Sequence, residues 1–223
     1  LSPSHIFVLP GGFTYGDDIA AGKVLANQLR QQVLDELTRF IDDGKLIIGI
    51  CNGFQVLMKM GLLPEVKGAQ TSLTGDKQRF TLTYNDSNKF EDRWVYLKSA
   101  SNKSVFVDND SFMYVPIAHA EGKFVAENQE DIEKLDKSGQ IVFKYVDKNG
   151  NMSGYPWNPN GSSDNIAGVC DSTGRILGMM PHPERHIDPT QHPRWTREGL
   201  KAEGDGIVIF RNAVNYISRT FSS

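Results

Sequence analysis

One stretch limits the possible folds more than any other: KLIIGICNGFQVLMKMGLLP, residues 45–64. It reads as a short apolar strand, a Gly-x-Cys-x-Gly turn (Gly49, Cys51, Gly53) and a helix, with no linker between them. An unbroken apolar run of this length is a buried strand, and Gly61 and Pro64 end the helix that follows. A chain built this way has to lay helices against a sheet.

The flanking sequence continues the alternation. HIFVLP (5–10) is a second apolar strand, stopped by Pro10 and two glycines. Val24, Leu29, Val33, Leu37, Phe40 and Ile41 recur at helical spacing, and Asp42-Asp43-Gly44 closes that helix, with Gly44 suited to a left-handed cap. The middle of the chain changes character. RFTLTYND, RWVYLKSA, SFMYVPIAH and QIVFKYVD have strand composition, with a helical piece, QEDIEKLDKSG, before the last. Asn149-Gly150 gives the strongest hairpin signal, between KYVDK and NMSGY. IAGVCD and RILGMMPHPE read as two strands joined across Ser172-Thr173-Gly174. A final helix runs from about Gly206 to Thr220, with Ile207, Phe210, Val214 and Ile217 on one face. The expectation is an α/β fold in one domain over residues 1–223, a mostly parallel sheet with an antiparallel extension.

Composition excludes several function classes. A net charge of −3 gives no basic face for nucleic acid, so no nucleic-acid partner is expected. No apolar stretch reaches membrane-spanning length, so no membrane partner is expected either. Cys51 and Cys170 alone make no disulfide framework, and a reducing cytoplasm is the natural setting.

Cys51 has the setting of a nucleophile. Gly-x-Cys-x-Gly between strand and helix has the spacing of a nucleophile elbow, with the flanking glycines relieving clashes at a tight turn. A helix N-terminus is expected to lower the thiol pKa. Cys170 has no such elbow and reads as a core residue. A cysteine nucleophile needs a base and a group to orient it. Both are found in GMMPHPERH, where His182 lies between Pro181 and Pro183 and Glu184 is two residues on. In extended chain His182 and Glu184 share a face, which makes Cys51-His182-Glu184 a candidate triad. The N–H of Asn52, next to the nucleophile, and that of Gly12 in PGGF are candidate oxyanion donors. GGFTYG starts like a phosphate loop but continues Asp17-Asp18, and two carboxylates would repel a phosphate. His182, His186 and His192 are kept out of helical register by prolines, so no metal site is expected.

GICNGFQ with MPHPE resembles the class I (triad) glutamine amidotransferases. PGGFTYGDD, NDSNKFEDRW, VPIAHAEGKF, YPWNPNGSSDNIAGV and MMPHPERH narrow the resemblance to the glutaminase subunits of phosphoribosylformylglycinamidine synthase, in purine biosynthesis. The resemblance implies a flavodoxin-like sheet. It implies Cys51 as nucleophile, His182 as base, Glu184 as its orienter and Gly12 and Asn52 as oxyanion donors. It also implies Gln55 and His119 as substrate-binding residues. L-glutamine would be the substrate, no cofactor would bind this chain, and ATP with Mg²⁺ would belong to a synthetase subunit, with a small accessory subunit as a further partner. Two departures stand out: Ala120 occupies a position that is often glycine, and the chain starts almost on the PGG strand. The family's preceding βα segment is therefore expected to be missing, as in an N-terminally truncated chain.

Two other readings compete. A free-standing γ-glutamyl hydrolase or cysteine peptidase could use the same elbow and would turn over alone. A non-catalytic assembly subunit would keep the fold without the chemistry.

Overall fold

The computed structural model describes residues 1, 3–17, 19–64 and 79–221. Asp18, the second carboxylate of the Asp17-Asp18 pair, lies outside them. In chain order the elements are β1 (Ile6–Leu9), α1 (Lys23–Asp42), β2 (Leu46–Ile50), α2 (Asn52–Met60), β3 (Phe80–Thr83), β4 (Glu91–Ser99) and β5 (Phe112–His119). There follow β6 (Lys123–Ala126), α3 (Gln129–Lys137), β7 (Ile141–Val146), β8 (Ile166–Cys170), β9 (Ile176–Met179), the single turn α4 (Trp195–Glu198) and α5 (Ile207–Phe221).

Seven of these strands form one sheet, ordered β1-β2-β9-β8-β7-β4-β5, while β3 and β6 pair apart from it. β1, β2 and β9 run parallel. From β9 onward each neighbour is antiparallel. The α/β sheet with an antiparallel extension is therefore present. Among the described residues the extension is the larger part, with four antiparallel pairings to two parallel.

β2 and the helix that follows it are dry. Every residue of β2 is buried, as is every residue of α2 except Lys59. A strand without alternation has no solvent face, so α2 must cover it closely. Gly49 and Gly53 make that possible: a Cβ on Gly53 would lie 1.9 Å from the Leu9 carbonyl oxygen, and one on Gly49 would lie 2.6 Å from that of Gly53. Truncating a fully buried side chain here, such as Leu57, costs about 2–5 kcal/mol.

Three local expectations change. Asn149-Gly150 turns the chain, with Gly150 N–H donating to Asp147 O at 3.0 Å, but no strand follows it. Both edges of β7 are already taken, by β4 and β8, so a returning strand has nowhere to pair. The β3–β6 ribbon pairs the expected strand in RFTLTYND with KFVA, whose four residues are too few to announce a strand. On α5 the buried residues are Ile209 and Ala213, whereas Val214 is 56% exposed. The buried stripe is thus rotated from the expected face. By contrast β8 and β9 form the expected hairpin, and α1 ends at Gly44 in the left-handed conformation.

The sheet curls. The peptide N–H of His182, just past β9, donates to the carbonyl of Pro116 on β5 at 2.8 Å. Cys51 Sγ, just past β2, lies 3.6 Å from the carbonyl oxygen of Ala118 on the same strand. The last strand of the sheet therefore meets the ends of its parallel strands, and the site forms there.

Candidate active site

Cys51 caps α2 with φ 52° and ψ −110°, a positive φ that side chains seldom adopt. It is held by its own N–H, which donates to Met179 O at 2.8 Å, and by its carbonyl, which accepts from the Gln55 N–H at 3.1 Å. A strained, over-determined backbone of this kind is a mark of a functional position. The N–H groups of Asn52 and Gly12 both lie near enough to the sulfur to favour its anion, as does the charge of Arg185. Burial outweighs them and pushes the thiol up to about 11. The expected thiolate is thus replaced by a neutral thiol: the donors are present, but a dry pocket disfavours a lone charge more than they favour it.

His182 is buried, and its Nδ1 lies 2.6 Å from Glu184 Oε1. The pair forms as expected but not in extended chain, because Pro183–Arg185 is one 3₁₀ turn. Pro183 opens that turn, where its missing N–H has no helical partner to lose. Nδ1 therefore carries the proton toward the carboxylate, and Nε2, which has no protein partner, keeps its lone pair. Gly11 brings ring and thiol together. A Cβ there would sit 2.5 Å from His182 Cε1 and 3.2 Å from Cys51 Cβ.

A pocket of about 200 Å³ opens over this group, lined by Gly12, Phe13, Asp17, Cys51, Gln55 and the wall Ala118–Glu121, among others. Its floor is a chain of side-chain amides. Asn52 Nδ2 donates to Asp17 Oδ1 at 3.0 Å and to Gln55 Oε1 at 3.2 Å, and Gln55 Nε2 donates to Glu121 O. Gln55 thus faces the pocket with its oxygen engaged and its amide tied to the wall.

The wall itself is held from outside. Asn85 Nδ2 donates to the carbonyls of His119 and Lys89, while Asn85 Oδ1 takes the Gly122 N–H at 3.1 Å and faces His119 Nδ1 at 3.1 Å. Asn160 Nδ2 donates to Gly122 O at 2.7 Å, and Asn160 Oδ1 accepts from Ser162. Burial, helped by the nearby His182, holds His119 well down, to about 3, so its ring stays neutral. Ala120 lines the pocket, and its carbonyl accepts from Asn85 N–H at 2.8 Å, so the methyl group does not displace the backbone contact.

All seven candidate residues therefore gather at one place. Sequence reasoning missed Gly11, Asp17, Asn85, Glu121, Asn160 and Arg185. Only Gly11 carried a usable signal, the second glycine in PGG; the others act through tertiary contacts.

The sequence matches the CobB/CobQ-like glutamine amidotransferase domain over residues 1–217. It is 46% identical over 218 residues to phosphoribosylformylglycinamidine synthase subunit PurQ of Dehalococcoides mccartyi, covering 97% of this chain and 81% of that one. The corresponding subunit of Archaeoglobus fulgidus is 44% identical over 218 residues, covering 95% and 78%. A chain in the solved structure of PurLQS from Thermotoga maritima superposes with a TM-score of 0.70 at 30% identity, covering 97% of this chain and 82% of that one.

Proposed function

The chain belongs to the CobB/CobQ-like glutamine amidotransferase family, among the glutaminase subunits of phosphoribosylformylglycinamidine synthase, and we propose that Cys51, His182 and Glu184 perform its chemistry. The observation that carries this reading is the meeting of one strained, buried thiol on the pocket wall with two backbone donors and, across Gly11, one histidine oriented by a carboxylate.

The neutral thiol sets the order of events. His182 Nε2 takes the Sγ proton as the sulfur attacks the side-chain amide carbon of L-glutamine. The carbonyl oxygen becomes an anion facing the N–H groups of Gly12 and Asn52, each worth roughly 10²–10³ in rate in other oxyanion holes. The imidazolium, steadied by Glu184, returns its proton to the leaving nitrogen, and ammonia departs from a glutamyl thioester. Water, deprotonated by His182, then releases glutamate and restores the thiol. Gln55 and His119 line the space for the substrate.

The ammonia is passed to a synthetase subunit, to which ATP and Mg²⁺ are assigned, with a small accessory subunit completing the assembly. Support for a covering partner comes from the pocket mouth, where Phe13 is 64% and Phe90 48% exposed, with ring centroids 6.0 Å apart. Among the described residues no helix is long and apolar enough to cross a membrane and no cluster of metal-binding side chains occurs. The cytoplasm, where purine synthesis proceeds, is the proposed location.

A chloroketone analogue of glutamine tests the assignment. Peptide mapping should find the adduct on Cys51, with protection by glutamine and none by glutamate; an adduct on Cys170, or labelling that glutamine does not slow, would refute it.

A further inference from the structure

We propose that Thr14 and Asp17 are positioning residues of the oxyanion site: both grip the buried side chain of Asn52, and that grip fixes the loop carrying the Gly12 N–H. The proposal rests on the glutaminase reading above and adds to it what holds one donor in line with the other.

The two donors come from different elements. Asn52 opens α2, and its peptide is set by the elbow, whereas Gly12 lies in the loop between β1 and α1. Gly11, before it, is pinned by close contact with His182 and Cys51. Gly12 is not. Its φ is 144°, and among the described residues a Cβ on it would meet nothing within 4 Å. The direction of its N–H therefore depends on how the next residues are held. Tyr15, Gly16 and Asp17 are all left-handed, with φ of 56°, 68° and 55°. A run of this kind is unfavourable and persists only where the surroundings over-determine it.

Asn52 supplies those surroundings. The residue is 1% exposed, and its side chain meets the loop twice. Nδ2 donates to Asp17 Oδ1 at 3.0 Å, and Oδ1 accepts from the Thr14 hydroxyl at 2.5 Å. A carboxylate only accepts, so the amide has one orientation and the two contacts cannot trade places. The same Asp17 oxygen accepts from the Gly22 N–H at 3.3 Å, where α1 begins. The left-handed turn is thus clasped at both ends by the residue whose own peptide is the other donor. A buried amide deprived of these partners would be costly, which gives the clasp its hold on the loop.

The test compares glutamine hydrolysis, with the synthetase subunit present, and alkylation of Cys51 by iodoacetamide. Alkylation displaces iodide at a saturated carbon and forms no oxyanion, so it reports the thiol without the donors. Thr14 is outside the pocket lining, and Thr14→Val keeps its shape while removing the hydroxyl. This variant should lower kcat by about tenfold or more, with KM and the alkylation rate within about twofold of wild type. Asp17→Ala should act in the same direction, and Thr14→Ser, which restores the hydroxyl, should recover kcat. Wild-type kcat in Thr14→Val would overturn the proposal, as would a rise in KM alone. Equal losses of hydrolysis and alkylation would make the clasp a support of the fold and overturn it too. Because the variants could fold poorly, nuclear Overhauser contacts between the Asn52 side-chain amide and Thr14 in the wild type give an independent reading. Their absence would overturn the proposal regardless of kinetics. A wild type that alkylates but releases no ammonia would instead refute the glutaminase reading, and this proposal with it.

Discussion

The two sides of the pocket are built in opposite ways. The cysteine side comes from one continuous stretch, in which β2, the Cys51 elbow and α2 follow without a linker. The opposite wall, Ala118–Gly122, runs off the end of β5 and is held by side chains from elsewhere, Asn85 on one side of the Gly122 peptide and Asn160 on the other. Local sequence therefore dictates the Cys51 elbow, while distant sequence dictates the wall that faces it. The first side resists change through packing, and the second through a closed set of hydrogen bonds.

Four changes would break or sharpen that contrast. The largest effect is expected at Gly11, which lies against both the Cys51 and the His182 side chains. Gly11→Ala places a methyl group 2.5 Å from His182 Cε1, and kcat should fall by about 10²-fold as the ring is displaced. Retained activity would mean that the ring has room to move. Next is the alkaline behaviour of the cysteine side. Burial raises the Cys51 thiol from its ordinary 9.0 to about 11, so its stabilising effect is complete below pH 9 and is lost as pH rises through 11. Relative to Cys51→Ala, the wild type should lose up to about 2–3 kcal/mol over that interval, read from denaturant unfolding of both proteins at each pH. Parallel curves would show that the thiol is not dry. On the wall side, Asn160→Ala leaves the Gly122 carbonyl without its partner at a cost of about 1–3 kcal/mol, and KM for glutamine should rise more than kcat falls. A change confined to Tm would separate this loop from the pocket. Smallest is Val214→Ala on exposed α5, within about 0.5 kcal/mol, against about 2–5 kcal/mol for Ile209→Ala one turn earlier on the buried face.

The same contrast explains what the sequence made legible. β2, α2, the elbow and the β8–β9 hairpin could be read directly because each is announced by its own residues, an apolar run, a glycine pair or a turn. The His182–Glu184 contact could be read because the two residues are two apart and the turn between them brings them together under either backbone geometry. Cys51's protonation could not, since it depends on how much water the finished pocket excludes. Nor could Asn85 and Asn160, which are unremarkable asparagines in polar loops until Gly122 arrives between them. The Asn149-Gly150 turn failed for a related reason: it has the right local chemistry, but the sheet leaves its returning chain no free edge.

The central claim is that this pocket turns glutamine into glutamate and ammonia through Cys51. The most direct measurement is ammonia release from glutamine by the chain, with and without its synthetase subunit, beside Cys51→Ala. Release that the synthetase stimulates, and that the substitution lowers by roughly 10⁶-fold, is the predicted result. Release that survives the loss of Cys51, or a folded chain that releases no ammonia even with its partner, would contradict the account.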